Sequence, residues 1–311
     1  MRSHPAIIAT ALVPFLLAPL VVALGSAPAG AARRRPPSHL AATTTAARRT
    51  AMSYWTPQRM RDARPLDLVT AHGSHAKLPS IARARTQGAP WTGGGAIAKT
   101  LGRVFFTTNG GAAASCSGDV VNAANHSVVV TAGHCVRNGG QWNGAWAFVP
   151  GYHDGKRPYG TWVANMLATT PQWQSKENTD YDVGMAVIAE RDGKRIADTV
   201  GAQAIGFGLS RGRQVAAFGY PAEGSYDGSK QIYCSGTVSA DTTGSSKDQA
   251  LACDQTGGAS GGPWLTDFDA KAGTGTQYSV NSFKYEDQPN YMYGPYFGSA
   301  VKDLYTWSAA Q

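Results

Sequence analysis

Residues 257–264 read Gly-Gly-Ala-Ser-Gly-Gly-Pro-Trp, and the interpretation of the whole chain starts from this stretch. The single hydroxyl of Ser260 lies among four glycines. Glycine allows sharp bends, so the N–H groups of Gly258 and Ser260 can turn toward a bound carbonyl. Such donors stabilise a developing oxyanion by about 2.7–4 kcal/mol each. The stretch predicts a serine nucleophile with an oxyanion hole; the alternative is a glycine-rich turn between two strands.

A serine nucleophile needs a histidine base that a carboxylate holds in the right tautomer. All seven histidines precede Ser260 in the chain: His4, His39, His72, His75, His126, His134 and His153. The Gly-x-Ser-x-Gly pattern also occurs in α/β-hydrolases, whose partners follow in the order Ser, Asp/Glu, His. That order cannot be built here, so the base must come from the N-terminal side.

Residues 128–135 read Val-Val-Val-Thr-Ala-Gly-His-Cys. The β-branched run predicts a strand, and the small residues after it predict a turn that carries His134. Thr-Ala-Gly-His-Cys, followed much later by Gly-x-Ser-Gly-Gly-Pro, resembles the chymotrypsin-like (trypsin-like) serine peptidases. The resemblance implies that His134 is the general base and Ser260 the nucleophile.

The resemblance also implies an orienting aspartate between these two motifs, directly before an apolar strand. Residues 182–188, Asp-Val-Gly-Met-Ala-Val-Ile, have this form. Asp180 remains an alternative, because residues two apart share one face of a strand. The strand pattern that starts at Val183 favours Asp182.

Many short strands separated by turn residues predict an all-β domain over residues 96–311. The segments with strand character are 103–108, 118–122, 127–131, 145–149, 161–168, 182–189, 214–220, 231–240, 277–283 and 296–301. The resemblance implies two packed six-stranded antiparallel β-barrels. The tail 301–310 predicts a short C-terminal helix with Leu304 and Tyr305 facing inward.

All four cysteines lie in this domain, at Cys116, Cys135, Cys234 and Cys253. No C-x-x-C pair occurs, which argues against a zinc site. An even number in an exported chain indicates disulfides, and four cysteines allow three pairings. The family pattern implies Cys116 with Cys135, which leaves Cys234 with Cys253.

Residues 1–31 have the order of a secretory signal peptide: Arg2, an apolar run over 6–24, and small residues at the end. A membrane helix is the alternative, because the run is long enough to span a bilayer. Residues 32–95 are rich in Ala, Thr, Arg and Pro, and we expect a prosegment or linker that is largely disordered.

The charge is divided unevenly along the chain. Residues 1–95 carry 12 Lys/Arg and 2 Asp/Glu, whereas residues 96–311 carry 16 and 18. The basic character therefore belongs to the part that we expect to be removed. The domain has no basic excess, so we expect no nucleic-acid binding.

Two positions differ from trypsin-like enzymes. Ala259 stands where those enzymes have an aspartate that pairs with a new N-terminus, and no Ile-Val-Gly-Gly-like start occurs near residue 96. Activation by N-terminal insertion is therefore not expected. The oxyanion hole must be preformed or released when the prosegment is removed. The missing aspartate resembles the secreted bacterial glutamyl-endopeptidase-like branch.

Substrate preference rests on fewer residues. Asp254, six residues before the serine, corresponds to the position of the carboxylate that pairs with Arg or Lys before the scissile bond; the alternative is an exposed or structurally paired aspartate. The strand 280–284, with Ser282, resembles the pocket-edge strand that pairs with substrate backbone. Glutamate-specific relatives have a histidine where this chain has Asn281, which argues against acidic preference.

These observations together predict a secreted, monomeric serine endopeptidase with a peptide or protein substrate. We expect neither a metal nor an organic cofactor, and no stable membrane association after signal cleavage. The alternative from another class is a non-catalytic protease homologue that serves in binding or adhesion. An esterase using the same triad is a third possibility.

Overall fold

The computed structural model describes residue 1 and residues 35–70, 85–243 and 246–311. Apart from Met1, the expected signal peptide lies outside the described residues. Among the residues that are described, no helix combines the length and apolar character needed to cross a membrane.

The described chain is mostly β-structure. The strands are β1 (Ser38–Leu40), β2 (Arg64–Pro65), β3 (Val69–Thr70), β4 (Arg85–Pro90), β5 (Leu101–Thr107), β6 (Ala113–Val121), β7 (Val128–Thr131), β8 (Arg137–Asn138), β9 (Gln141–Trp142), β10 (Gly144–Pro150), β11 (Trp162–Thr169), β12 (Gly184–Ile188), β13 (Ala204–Ile205), β14 (Gln214–Gly219), β15 (Ile232–Thr237), β16 (Ser239–Ala240), β17 (Gln249–Ala252), β18 (Pro263–Asp269), β19 (Thr274–Val280), β20 (Lys284–Tyr285) and β21 (Tyr291–Gly294). The helices are α1 (Thr45–Tyr54), α2 (Pro57–Asp62), α3 (Ile97–Thr100), α4 (Pro171–Lys176), α5 (Ile196–Val200) and α6 (Ser299–Ser308).

Six antiparallel strands close into a barrel in the N-terminal half of the domain. Their order is β11, β10, β5, β6, β7 and β12, and β12 pairs with β11 to complete the circle. Residues of β7 and β12 are buried throughout, as the continuous apolar runs in these segments predict. The barrel interior includes Phe106, Trp146 and Phe148.

The C-terminal half contains two further sheets. The larger has the order β13, β19, β18, β14, β15 and β4, with only β13 and β19 running parallel. A three-stranded sheet of β16, β17 and β21 accompanies it. The predicted all-β, chymotrypsin-like fold is confirmed at the level of a closed six-stranded barrel with a second β-sheet half.

The predicted C-terminal helix is present as α6. Val301 and Leu304 are buried and pack with Val280, and Tyr305 packs against the same cluster. The Tyr305 hydroxyl donates to the Asn122 carbonyl oxygen at 2.6 Å. The apolar face of α6 thus covers the point where strands of both halves come together.

Residues 35–70 contain regular structure, although their composition predicts disorder. Thr44 and Thr56 cap α1 and α2, since each hydroxyl accepts a hydrogen bond from a backbone N–H of the following helix. Trp55 is 1% exposed, and its Nε1–H donates to the Ala145 carbonyl oxygen at 2.6 Å. Composition underestimates order here because the apolar surface that α1 and α2 bury belongs to the barrel.

Candidate active site

Residues 257–262 form a tight turn, here named the nucleophile loop after the predicted role of Ser260, and only glycine fits at several of its positions. Gly258 and Gly261 have φ of 92° and 82°, a region that other residues rarely adopt. A Cβ on Gly261 would collide with the Thr131 hydroxyl, and one on Gly262 with the Phe218 carbonyl oxygen. The glycines therefore allow Ser260 to lie where two walls of β-structure approach it closely.

Strand β6 of the barrel holds this loop from the other side. The Ser117 N–H donates to the Ser260 carbonyl oxygen at 2.7 Å, and the Ser117 hydroxyl donates to the Gly258 carbonyl oxygen at 2.9 Å. The same hydroxyl accepts from the Tyr220 N–H at 2.8 Å. Ser117 is fully buried, so these bonds join the two halves of the domain without competition from water.

His134 and Asp182 form a buried pair at the seam, the region where the barrel meets the C-terminal half of the domain. His134 Nδ1 lies 2.8 Å from Asp182 Oδ2, and the His134 N–H donates to Asp182 Oδ1 at 2.8 Å. Their side chains are 1% and 0% exposed. A Cβ on Gly133 would crowd Asp182 and Trp173, which explains the small residue before the histidine.

The structure distinguishes the two aspartates that spacing leaves open. Asp182 contacts His134, whereas Asp180 accepts a hydrogen bond from the Lys247 N–H. Asp182 Oδ2 also accepts from the Ser282 hydroxyl at 2.6 Å. Three donors therefore hold the Asp182 carboxylate, and the bond from Ser282 is a contact that the sequence pattern did not reveal.

The hydroxyl of Ser260 and the imidazole of His134 are not hydrogen-bonded to each other here. Ser260 Oγ donates instead to the Leu66 carbonyl oxygen at 3.4 Å, and the Gly258 N–H donates to the same oxygen at 3.2 Å. His134 Nε2 is buried without a hydrogen-bond partner in the described part of the chain. The Ser260 hydroxyl and the Gly258 N–H thus converge on one carbonyl oxygen.

Hydrogen bonds to two carbonyls set the direction of the Gly258 and Ser260 N–H groups, which are the predicted oxyanion-hole donors. In a trans peptide the N–H points opposite to the C=O, so holding one orients the other. The Gly257 oxygen accepts from the Ala222 N–H at 2.8 Å, which orients the Gly258 N–H. The Ala259 oxygen accepts from Asn281 Nδ2 at 3.1 Å, which orients the Ser260 N–H.

Asn281 is a residue whose positioning contacts sequence reasoning missed. Its amide Nδ2 also donates to the Phe218 carbonyl oxygen and to Gln255 Oε1, and its Oδ1 accepts from Trp264 Nε1. Asn281 is fully buried. The only sequence signal is its place directly after β19, a strand of mixed polar and apolar residues, and that position does not indicate which carbonyls it meets.

Asp254, the predicted pocket carboxylate, and the buried Lys284 lie near the start of the nucleophile loop. Asp254 Oδ1 accepts from the Gly88 N–H at 2.8 Å and from the Tyr226 hydroxyl at 2.7 Å. Lys284 is 7% exposed, and its ammonium donates to the Cys253 and Pro289 carbonyl oxygens. Burial lowers the pKa of Lys284 to about 8.

Asp67 is a further acidic group at this point of the cleft, next to Gly257. Burial raises the pKa of Asp67, although nearby His134 and Lys284 favour its charged form. The cleft around Ser260 therefore contains carboxyl and ammonium groups that water only partly reaches.

Both expected disulfides are present, Cys116 with Cys135 and Cys234 with Cys253. The first braces the loop that carries His134, and the second links β15 to the segment that leads into the nucleophile loop. In the described residues, the sulfurs of Cys116 and Cys135 lie near His134 in a group with metal-ligand spacing. Because these sulfurs form a disulfide, they are not available as thiolate ligands.

The family model described as "Trypsin-like peptidase domain" matches residues 116–271. The chain belongs to the trypsin-like peptidase family, as the seam-located His134, Asp182 and Ser260 had suggested. No curated protein matches the chain.

Solved structures of proteases agree with this assignment. The protease Anisep from Arthrobacter nicotinovorans is 40% identical, with a TM-score of 0.65, and the match covers 68% of this chain and 96% of that one. The thermostable serine protease AL20 from an extremophilic microorganism is 37% identical, with a TM-score of 0.65, over 70% and 99%. A Glu endopeptidase at 19% identity and a TM-score of 0.57, over 72% and 97%, supports the fold alone.

Proposed function

We propose that the protein is a secreted serine endopeptidase in which Ser260 is the nucleophile, His134 the general base and Asp182 the orienting carboxylate. The observation that carries this proposal is the convergence of the Ser260 hydroxyl and the Gly258 N–H on one carbonyl oxygen, beside a buried imidazole–carboxylate pair. A family of trypsin-like peptidases supplies the reaction class.

In the proposed reaction, the Ser260 oxygen attacks the carbonyl carbon of the substrate while its proton passes to His134 Nε2. Asp182 keeps the opposite nitrogen, Nδ1, protonated and so leaves Nε2 free to accept. The N–H groups of Gly258 and Ser260 donate to the oxyanion, each contributing about 2.7–4 kcal/mol to the transition state. His134 then protonates the leaving amine, and water hydrolyses the acyl-enzyme by the same route.

Asp254 and Ser282 stay proposals as substrate-binding residues. The bonds from Gly88 and Tyr226 to Asp254 support the reading in which this carboxylate is structurally paired. Mass spectrometry of cleavage products from a peptide library distinguishes the readings. Cuts after Arg or Lys support Asp254 as the pocket floor, whereas cuts after Phe or Leu remove it from that role.

We also propose that the protein is made as a zymogen. About a third of this chain lies beyond the region that the two protease structures match, although those structures are themselves covered almost completely. Residues 35–70 contact the barrel and the nucleophile loop. Two disulfides suit an oxidising, extracellular compartment.

The decisive experiment labels the processed protein with a serine-directed fluorophosphonate. We expect the wild type to be labelled and to hydrolyse a mixed peptide library, and the variant Ser260→Ala to do neither. Ser175→Ala, which changes an exposed serine that has no proposed role in the site, is the matched control and should be labelled normally. Labelling that persists in Ser260→Ala refutes the nucleophile. A processed wild type without labelling or hydrolysis supports the non-catalytic homologue.

A further inference from the structure

The cleft beside Ser260 is occupied by a segment of the chain itself, residues 64–70. Its first part, β2, pairs in parallel with β6 of the barrel, and its last part, β3, pairs in parallel with β20. The segment therefore bonds to both walls of the cleft, with the nucleophile loop between its two paired ends.

The carbonyl of Leu66 lies at the chemical centre of this arrangement. Its oxygen accepts from the Gly258 N–H and from the Ser260 hydroxyl, while the Leu66 N–H donates to the Ser115 carbonyl oxygen at 2.9 Å. The Leu66 side chain packs against the barrel cluster that contains Cys116 and Cys135. One residue thus occupies the oxyanion-hole donor and engages the nucleophile.

These contacts engage the groups that the proposed reaction needs. The Ser260 hydroxyl directs its proton at the Leu66 oxygen, so the proton is not aimed at His134 Nε2, which has no partner among the described residues. Because both groups bond to the Leu66 carbonyl oxygen, neither the Gly258 N–H nor the Ser260 hydroxyl is available to the carbonyl of another peptide.

Contacts on both sides keep residues 64–70 in place. Upstream, Trp55 and Met60 are buried against the barrel. Within the cleft, the Leu68 carbonyl accepts from the Lys284 N–H at 3.1 Å, and its side chain packs against an aromatic cluster that includes Phe283. Downstream, the chain continues into β4, which pairs with β15.

We propose that the active-site cleft is a binding site for an extended peptide running parallel to β6 and β20, and that residues 64–70 are its built-in inhibitory ligand. Leu66 supplies the carbonyl that fills the oxyanion hole, and Leu68 supplies the apolar anchor. This proposal rests on the proposed role of Ser260 and adds which residues close the site and how.

The first test compares fluorophosphonate labelling of the full chain and of the processed body. The body is obtained by cutting at a site-specific protease sequence inserted between residues 70 and 85 and capturing the tagged N-terminal piece. A tethered segment at an effective concentration of about 1 mM, with a dissociation constant of about 10 µM, leaves about 1% of sites open, so labelling of the full chain should be about 100-fold slower. Equal rates overturn the proposal.

Variants of the full chain test whether the slow labelling comes from residues 66 and 68 or merely from the attached N-terminal segment. Leu66→Gly combined with Leu68→Gly removes both side-chain contacts within the cleft and should bring labelling of the full chain close to the rate of the processed body. Leu40→Gly is the matched control, because Leu40 is exposed on β1, away from the cleft, and the slow rate should persist. Slow labelling in the double variant contradicts the assignment of residues 66 and 68.

A binding assay makes the proposal independent of catalysis. A fluorescent peptide of residues 62–70, Asp-Ala-Arg-Pro-Leu-Asp-Leu-Val-Thr, should bind the processed Ser260→Ala body with saturable anisotropy, whereas a scrambled peptide of the same composition should not. If the processed wild type fails to label but this peptide binds, the proposed function fails and the binding site stands. If the processed wild type is labelled but the peptide does not bind, the proposed function stands and the inhibitory binding site fails.

Discussion

Replacing Asn281 by Leu tests whether its amide orients the oxyanion hole. Leucine is close to asparagine in size but removes the Nδ2 donor, which reaches the Phe218, Gln255 and Ala259 oxygens at 2.9, 3.0 and 3.1 Å. The Ala259 oxygen then keeps only the bond from the Gly262 N–H at 2.9 Å. The peptide plane that carries the Ser260 N–H loses one of its two restraints.

The magnitude follows from these contacts. Loss of a complete oxyanion-hole donor lowers kcat by about 10²–10³. Because the Gly262 bond remains, we expect a decrease of about 10- to 100-fold in kcat, with KM little changed, since the donor acts mainly in the transition state. Stability should fall as well, because Gln255 Oε1 and Trp264 Nε1 lose a buried partner at about 1–3 kcal/mol each.

The assay measures kcat and KM on processed enzyme whose active sites have been counted by fluorophosphonate titration. Gln203→Leu is the matched control, because Gln203 is similarly buried and its side chain makes three hydrogen bonds, against four for Asn281, to Thr100, Gly273 and Gly275, away from Ser260. It should lose stability and keep its kcat. A kcat for Asn281→Leu within about threefold of the wild type, per titrated site, refutes the reasoning.

Two further predictions concern the triad carboxylate and the barrel core. Ser282→Ala removes the 2.6 Å bond to Asp182 and should lower kcat/KM by about 10- to 100-fold, since a hydrogen bond to a charged group contributes about 1.5–3 kcal/mol. The control Ser279→Ala loses a buried bond to the Pro295 oxygen instead and should keep the wild-type kcat/KM. Equal kcat/KM values for the two variants would contradict the prediction. Burial raises the pKa of Asp119 to about 8, so the folded state holds this proton more tightly than the unfolded state and stability falls by about 1.4 kcal/mol per pH unit between about pH 4 and 8. In denaturant unfolding, Asp119→Asn in a Ser260→Ala background should therefore lose less free energy of unfolding between pH 5 and 7. The exposed control Asp192→Asn should keep the wild-type dependence on pH. An unchanged pH dependence in Asp119→Asn would show that the buried carboxyl is not the cause.

The chain alone indicates the parts of the site whose chemistry is local. The glycines around Ser260 are needed by the backbone at those positions, and the strand-then-turn pattern before His134 is a short-range signal. The apolar runs and turn residues that mark the barrel strands are local too. These features can be predicted from the sequence because each depends on neighbours within a few positions.

The tertiary structure decided the contacts that depend on packing between distant segments. Asp180 and Asp182 have the same spacing signal, and only the approach of β7 to the loop before β12 brings Asp182 to His134. The composition of residues 32–95 argues for disorder, but in residues 35–70 the burial of Trp55 against the barrel outweighs it, because the apolar surface comes from another part of the chain. The sequence therefore predicts the candidate reacting groups, whereas the fold determines that Leu66 contacts Ser260 and Gly258, since parallel pairing to β6 and β20 cannot be read from residues 64–70 themselves.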